Sequence, residues 1–450
     1  MKVKISIAMS MLLCITTLSA QEKEVTALSL KECVQIAAGK NINVSQAILD
    51  KEKSFYKTKE TRSSFLPQVE INETFQDNVK LAVTLVPGDF VGQPGTTIPF
   101  TMGTRYNASA NLSLNQVLYN QTTFTALKLS KKAEYVSMLG VQKAKEEIVK
   151  EVAKLYFLIQ TTGKQKKLVQ DNITRTQCMA DIVKKQIDNG LGKHVDYDRI
   201  MVSVQNLQTQ LDNTRALYEQ QMNMMKYTLE IPLEKEFVLT DSADMTLVSV
   251  LPTANVDLSN QIDIQLLESQ KDIASLNKKL ESSAYLPNLA LFGQFGYQGM
   301  RNDFKDYFNS SSTNKWYNSS YIGLKLTIPV FDGFQKQSKY NQAKIEYIKS
   351  SISLDNAKKS SSVDYKNAMN NYYNNKITVE RQQNNIDLAQ KVYDETALKY
   401  REGMSSMSDL LQDEVGLNNA QSGYLDALYK FKEAELDIMS LNGEIKNWVK

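Results

Sequence analysis

The stretch RSSFLPQVEI at residues 62–71 recurs as ESSAYLPNLAL at residues 281–291. In both copies a polar, helix-like run ends at a Leu-Pro pair, and a segment of alternating apolar and polar residues follows it. Proline removes a donor from the helical hydrogen-bond ladder and restricts the residue before it. Pro67 and Pro287 therefore predict the junctions between a helix and a strand. We expect the fold to contain this helix–strand unit twice.

Two further pairs of segments extend the repeat along the chain. LSLNQVLYN at residues 112–120 matches LKLTIPVFD at 324–332, and QIDNGLGKHVDYD at 186–198 matches KYREGMSSMSDLL at 399–411. The copies differ in length mainly after the first strand, as expected of a surface loop. An internal repeat of this length predicts two copies of one supersecondary unit.

The first 20 residues have the features of a signal peptide. Lys2 and Lys4 precede an apolar run that ends in small residues, and the run is too short to span a bilayer. We therefore predict export of the mature chain from the cytoplasm. Removal of these two lysines takes the formal net charge from +3 to +1, so the composition has no basic excess that would suggest nucleic-acid binding.

Two long segments are predicted to be single helices. Residues 121–189 and 334–402 contain no proline, and each would form a rod of roughly 100 Å at 1.5 Å per residue. Gly190, Gly192 and Gly403 follow the two rods, as is typical of helix C-termini.

A second helix is predicted to return from each rod. Asp196 and the pair Ser408-Asp409 can cap the new N-termini. A seven-residue apolar spacing then indicates left-handed coiled-coil packing, although an ordinary helical bundle remains an alternative. In the second copy this spacing is carried by Leu410, Leu417, Tyr424, Phe431 and Ile438.

Four segments between the helices show the opposite, two-residue period. YNASANLSLN at 106–115 places Tyr, Ala and Leu on one face and Asn and Ser on the other. Segments 289–298 and 320–330 alternate in the same way, 68–76 does so more weakly, and Pro329 predicts the junction with the next helix. Strands of about ten residues with one apolar face are typical of outer-membrane proteins, although a half-buried soluble sheet shows the same alternation. Four strands cannot close a membrane barrel, so several chains would have to pool them.

These boundaries divide the chain into a signal peptide at 1–20 and two structural repeats at 21–255 and 256–450. The predicted elements of the first repeat are a helix at 29–64, strands at about 67–76 and 105–118, helices at 121–189 and 196–229, and a non-helical segment at 230–256; those of the second are a helix at 257–284, strands at about 287–298 and 318–330, helices at 334–402 and 408–443, and a C-terminal tail.

The layout resembles the TolC family of outer-membrane efflux proteins over about 29–443. The matching pieces, besides the paired Leu-Pro junctions, are LSLKECVQIAAGKN at 28–41, IPVFDGF at 328–334 and YREGMSSMSDLL at 400–411, the last leading into a long final helix. The resemblance implies a mostly α fold with a small β part. Long antiparallel helices would form a periplasmic tunnel, and four strands per chain would enter a transmembrane β-barrel shared by three chains. The segment 230–256 and the C-terminal tail would form an equatorial collar.

The resemblance also implies a function and a place. The chain would be the outer-membrane exit duct of a tripartite efflux or type I secretion system, in contact with outer-membrane lipid and with a long periplasmic extension. Its partners would be two further copies of itself, a periplasmic adaptor protein and an inner-membrane transporter. The alternative is a periplasmic coiled-coil spacer that forms no channel.

The resemblance assigns the helical tips at 187–196 and 400–409 to the gate and to the adaptor contact. Where the family's best-known gate has an arginine and a second aspartate, this chain has Ser405 and Gln412, so its latch must differ. The gate candidates are Tyr400, Asp409, Ser405 and Gln412, and the adaptor-contact candidates are Gly190, Leu191, Gly192, Gly403, Met404 and Ser405.

The residue inventory argues against an enzyme. The only histidine, His194, lies in a polar tip without a nucleophile–base pattern, a phosphate-binding loop or a metal-ligand cluster. Cys33 and Cys178 are far apart and form no disulfide framework. We therefore predict no catalytic residues, no cofactor and no metal.

Overall fold

The computed structural model describes residues 26–240, 257–309 and 315–448. The predicted signal peptide and most of the predicted non-helical segment, 241–256, lie outside them. The helices are α1 (Leu30–Lys40), α2 (Ile42–Ser63), α3 (Gln121–Asp188), α4 (His194–Thr228), α5 (Ile262–Ser283), α6 (Gln335–Arg401) and α7 (Met407–Leu441); the strands are β1 (Thr26–Leu28), β2 (Gln68–Asp77), β3 (Val83–Pro87), β4 (Thr97–Thr101), β5 (Tyr106–Asn120), β6 (Phe237–Leu239), β7 (Asn288–Arg301) and β8 (Tyr317–Thr327).

The chain forms two compact units, and α3 and α6 each contribute to both. Of the described residues, 48–140, 263–309 and 315–357 form a sheet unit, and 26–47, 141–240, 257–262 and 358–448 form a helical unit.

The sheet unit contains four antiparallel strands in the order β2-β5-β7-β8. Gln68 pairs with Asn115 in the first hairpin, and Asn288 pairs with Thr327 in the second. These are the same two positions of the repeat, since β2 maps to β7 by an offset of 220 and β5 to β8 by an offset of 212. The two hairpins therefore share one register, and β5 and β7 join them at the centre of the sheet.

The two faces of this sheet differ in chemistry. Ile71, Leu112 and Phe295 are cross-strand neighbours on one face. On the other face Tyr321 Oη donates to Gln294 Oε1 at 2.6 Å, and Gln294 Nε2 donates to Asn111 Oδ1 at 2.8 Å. The predicted alternation is thus present, and the apolar face is open, with Ile71 70% exposed.

Strand and helix meet differently in the two copies. Pro67 and Pro287 immediately precede β2 and β7, whereas Pro329 lies between β8 and α6. In the first copy β5 continues through a register irregularity after Val117 and ends at Asn120, two residues beyond the predicted end at about 118. The Asn120 side chain accepts hydrogen bonds from the N–H groups of residues 122 and 123, and α3 can begin without a proline-containing connection.

The helical unit is built around a buried core on α1, α3, α4 and α7. Tyr156 of α3, Met225 of α4 and Leu436 of α7 belong to one cluster and are almost fully buried. The predicted helix at 29–64 is wrong as a single element, because Asn41 leaves the helical conformation between α1 and α2. Its side-chain amide nitrogen, Nδ2, donates to the carbonyl oxygen of Thr228 at 3.0 Å, and this bond connects the break to the end of α4.

Other boundaries shift by a few residues. The predicted helix at 257–284 begins as a 3-10 turn at Leu258–Asn260 and becomes α-helical only at Ile262. Within the segment predicted to be non-helical, β6 pairs in parallel with β1. The antiparallel β3–β4 hairpin was not predicted. Among the helices described, none combines the length and apolarity needed to cross a membrane.

Candidate gate at the helical tips

The first tip connects α3 to α4 through a glycine turn. Gly190 has a φ of 72°, and the N–H of Leu191 donates to the carbonyl of Gln186 at 2.8 Å. This left-handed turn satisfies carbonyls that the end of a helix leaves free. The next helix begins at His194, and the side chain of the preceding Lys193 makes no capping hydrogen bond.

The second tip, between α6 and α7, is capped more completely. Gly403 has a φ of 76° and ends α6 with the same kind of turn. Ser406 then forms a capping box with Asp409: Ser406 Oγ accepts from the N–H of Asp409 at 3.2 Å, and Asp409 Oδ2 accepts from the N–H of Ser406 at 3.1 Å. The predicted capping positions, Asp196 and Ser408-Asp409, are therefore corrected, since Ser406 is the N-cap of α7 and α4 starts before Asp196.

The capping box determines the chemistry of Asp409. Its carboxylate accepts from Ser406 Oγ at 2.7 Å and from Ser405 Oγ at 3.4 Å. Hydrogen bonds from the Ser406 side chain and backbone lower the pKa of Asp409, so it is anionic at neutral pH. Gln412, the remaining polar gate candidate, is exposed on α7.

Tyr400 lies in the buried interior of the same tip. It is buried in an apolar cluster with Tyr393, Met407 and Leu410. Burial and the negative charge of Asp196 raise the pKa of Tyr400, so the phenol stays protonated and able to donate. The charge of Asp196 in the first tip therefore acts on Tyr400 of the second.

Asp196 and Arg199 are candidate gate residues that sequence analysis missed. Arg199 Nη1 lies 3.5 Å from Asp196 Oδ1 and 3.4 Å from Ser408 Oγ, so it links α4 to α7. The one sequence signal for Asp196 was its place in the repeat, where it corresponds to the gate candidate Asp409 of the second tip. The outermost residues of the two turns, Leu191 and Met404, are 84% and 67% exposed.

A polar layer crosses the helical unit behind the tips. Glu414 on α7 is 3% exposed, and its carboxyl group accepts from Ser203 Oγ of α4 at 3.2 Å and contacts Thr176 Oγ1 of α3 in a short hydrogen bond. Burial raises the pKa of Glu414 above its ordinary value, and the two hydroxyl contacts and the charge of Arg175 only partly oppose it.

The same layer continues with amides and one guanidinium. Asn172 Nδ2 donates to Asn418 and, at 3.1 Å, to Gln421 Oε1. Arg175 Nη2 donates to Asn172 Oδ1 at 2.5 Å, and its guanidinium lies 4.8 Å from the ring centre of Tyr393 on α6. The sequence signal for this layer was a polar residue at a core spacing, since Glu414 stands between Leu410 and Leu417.

Residues 33–228 and 255–444 match the sequence profile of the family described as outer membrane efflux protein. The chain belongs to this family. It is similar to the outer membrane protein TolC of Salmonella enteritidis, with 22% identity over 428 residues that cover 91% of this chain and 81% of TolC.

Solved structures show the same fold. The crystal structure of CusC matches with a TM-score of 0.76 and 16% identity over 93% of this chain and 92% of CusC. The outer-membrane channel OprN matches with a TM-score of 0.75 and 15% identity over 93% of this chain and 90% of OprN. The fold is thus TolC-like, and the family places the chain in the outer membrane as an efflux channel and not as an enzyme. The alternative of a channel-free periplasmic spacer is therefore set aside.

Proposed function

We propose that three copies of this chain assemble into one outer-membrane exit duct. A single observation carries this proposal: the four-stranded sheet has an apolar face and two edge strands, β2 and β8. In lipid each unpaired backbone group at an open edge costs several kcal/mol, so the edges must be paired by further copies. The apolar face then meets outer-membrane lipid, and the polar face with Asn111 and Gln294 lines the passage.

The periplasmic end of the duct closes at the helical tips. The charge of Asp196 in the first tip acts on Tyr400 in the second, and Asp409 stands on the adjacent turn. In this arrangement the pair of tips forms the constriction. Ser405 adds a hydroxyl to the Asp409 cluster, while exposed Gln412 is left to face another copy.

The same tips contact a periplasmic adaptor, through which the duct serves an inner-membrane transporter. The exposed apolar side chains of Leu191 and Met404 support this, because they protrude from glycine turns and are mostly uncovered by their own chain. Small residues beside them, Gly190, Gly192 and Gly403, leave room for the close approach of a partner. A tripartite arrangement gives the substrate one continuous route out of the cell.

Native mass measurement in mild detergent tests the assembly. We expect three chains, and a stable folded monomer would contradict the architecture.

Single-channel conductance in a planar bilayer tests the gate. Tyr400→Phe combined with Asp409→Ala should raise the ratio of open to closed channel by about fivefold or more, as expected for loss of about 1 kcal/mol of closing interactions. Ser406→Ala is the matched control, because it breaks the capping box and keeps the carboxylate. If Ser406→Ala alone reproduces the openings, Asp409 acts as a cap and the constriction lies elsewhere.

A further inference from the structure

The buried layer around Glu414 connects three helices at a point set back from the tips. Glu414 belongs to the second repeat, whereas its hydroxyl partners Thr176 and Ser203 belong to the first. Its Cα lies seven residues beyond the start of α7 at Met407, or roughly 10 Å along the helix axis. Any movement that separates the α6–α7 tip from the α3–α4 tip must break these contacts.

Proton counting shows which form of Glu414 fits the layer. The Thr176 hydroxyl has one proton to donate. Its oxygen, Oγ1, lies 2.8 Å from the carbonyl oxygen of Asn172 and also close to Glu414 Oε1. If Glu414 is protonated, it donates to Thr176, Thr176 donates to Asn172, and Ser203 donates to Glu414 Oε2, so every group is satisfied. If Glu414 is ionised, Thr176 can serve only one of its two acceptors, and a buried charge remains with hydroxyl partners alone.

The charged and titratable surroundings of Glu414 agree with this assignment. Arg175 of α3 acts on it through its charge but engages Asn172 and the Tyr393 ring, and its Nε is buried without a hydrogen-bond partner. Tyr393 faces the layer from α6, and its own pKa is raised by burial. α4 contributes the neutral hydroxyl of Ser203. Among the described residues, none therefore forms a direct ion pair that would hold the charge of Glu414.

The geometry points to Glu414 as a positioning residue of the gate, whose protonated carboxyl group holds the tips in the closed arrangement. While its carboxyl group is buried and protonated, it connects α7 to α3 and α4 through hydrogen bonds and keeps the tips closed. When the tips separate, the carboxyl group becomes hydrated and loses its proton to water. The inference rests on the proposed closure at the tips. Acid therefore favours the closed duct, and a rise in pH favours opening.

The direction follows from linkage. A carboxyl group whose pKa is higher in the closed state than in water binds its proton more tightly there, so closing becomes more favourable as pH falls from that raised value towards the ordinary value of 4.5. Within this window the ratio of open to closed channel changes by up to about tenfold for each pH unit.

Glu414→Gln is the decisive variant, because its amide can donate to Thr176 and accept from Ser203 as the protonated acid does. In planar bilayers between about pH 8 and about pH 5, we expect wild-type openings to decline with acid and Glu414→Gln to remain closed with a flat profile. Asp426→Asn is the matched control, because Asp426 is exposed on the same helix and pairs with Lys430. It should retain the wild-type profile.

Thermal unfolding of the same detergent-solubilised proteins gives a readout that does not depend on conduction. Relative to Glu414→Gln, the wild type should gain stability as pH falls. If this difference in stability does not change with pH, the proposed role of the Glu414 proton is overturned, whatever the conductance measurements show. If stability follows pH and conductance does not, the role in gating is overturned, and closure at the tips is the step that fails.

Discussion

The helices α3 and α6 occupy the same place in the two copies of the repeat and have nearly the same length, 68 and 67 residues. Their burial differs greatly. α3 places Val152, Tyr156 and Ile159 in the core of the helical unit. α6 instead leaves Ile352 62% exposed and Leu388 61% exposed.

This difference shows how a duplicated helix can take two roles. Full burial of an isoleucine or leucine side chain contributes about 1.5–3 kcal/mol, so a row of exposed ones is costly unless another chain covers it. In the proposed trimer, α3 supplies the core of its own chain and α6 supplies much of the surface between copies. The predictions below test this division of labour.

The largest effect is expected from a matched pair of tyrosines. Tyr156→Ala on α3 removes an almost fully buried ring and should lower the free energy of unfolding by about 3–5 kcal/mol. Tyr373→Ala on α6 removes an exposed ring, so it should act mainly through association. Denaturation at several protein concentrations separates them, because only an effect on association depends on concentration. Equal, concentration-independent losses would contradict the comparison.

A charge on the exposed face of α6 should weaken assembly without unfolding the chain. Ile352→Glu would bury an unpaired carboxylate between copies, and we expect loss of the trimer in native mass measurements while far-ultraviolet circular dichroism remains helical. Ser353→Glu is the matched control, since Ser353 directly follows Ile352 in the chain and its side chain is also exposed. Trimers that tolerate Ile352→Glu would place the interface on another surface.

The smallest effects are expected at the tips, where the two copies differ in capping. Lys193→Ser supplies the side-chain acceptor that α4 lacks and should stabilise the first tip by about 0.5–1 kcal/mol, whereas Ser406→Ala should destabilise the second by about 1 kcal/mol. Hydrogen exchange of the first amides of α4 and α7 measures each change locally. A gain at Ser406→Ala would mean that the capping box is not retained in the assembled protein.

Much of the fold could be predicted because the repeat provides two views of each element. The Leu-Pro pairs located both helix–strand junctions, and the two-residue period assigned the sheet faces correctly. The break at Asn41 was not predicted, because Gly39 two residues earlier still lies inside α1 and Asn41 is held by Thr228, which is 187 positions away. Local pattern carries no information about such a partner.

The candidate site was predictable only in part. The resemblance pointed to Tyr400 and Asp409, but the capping role of Ser406 depends on which of three nearby hydroxyl groups adopts the extended backbone before α7. Glu414 escaped notice because a heptad pattern is read from its apolar positions, and a buried carboxyl group appears there only as an interruption. Its partners come from both halves of the chain, which no sequence spacing reveals.

The shared register of the two hairpins has a consequence for the wall of the duct. Within one chain, β5 of the first hairpin meets β7 of the second, with Leu112 opposite Phe295. In a closed ring, β8 meets β2 of the next copy in the same relation, and the repeat offsets place Leu324 opposite Phe75 of that copy. Both residues then lie on the apolar face. In the proposed trimer the wall is thus a ring of six like hairpins, and the same strand pairing occurs within a chain and between chains. A chain of half the length, carrying one hairpin, would need six copies to build the same sheet, so the internal repeat halves the number of subunits that have to assemble.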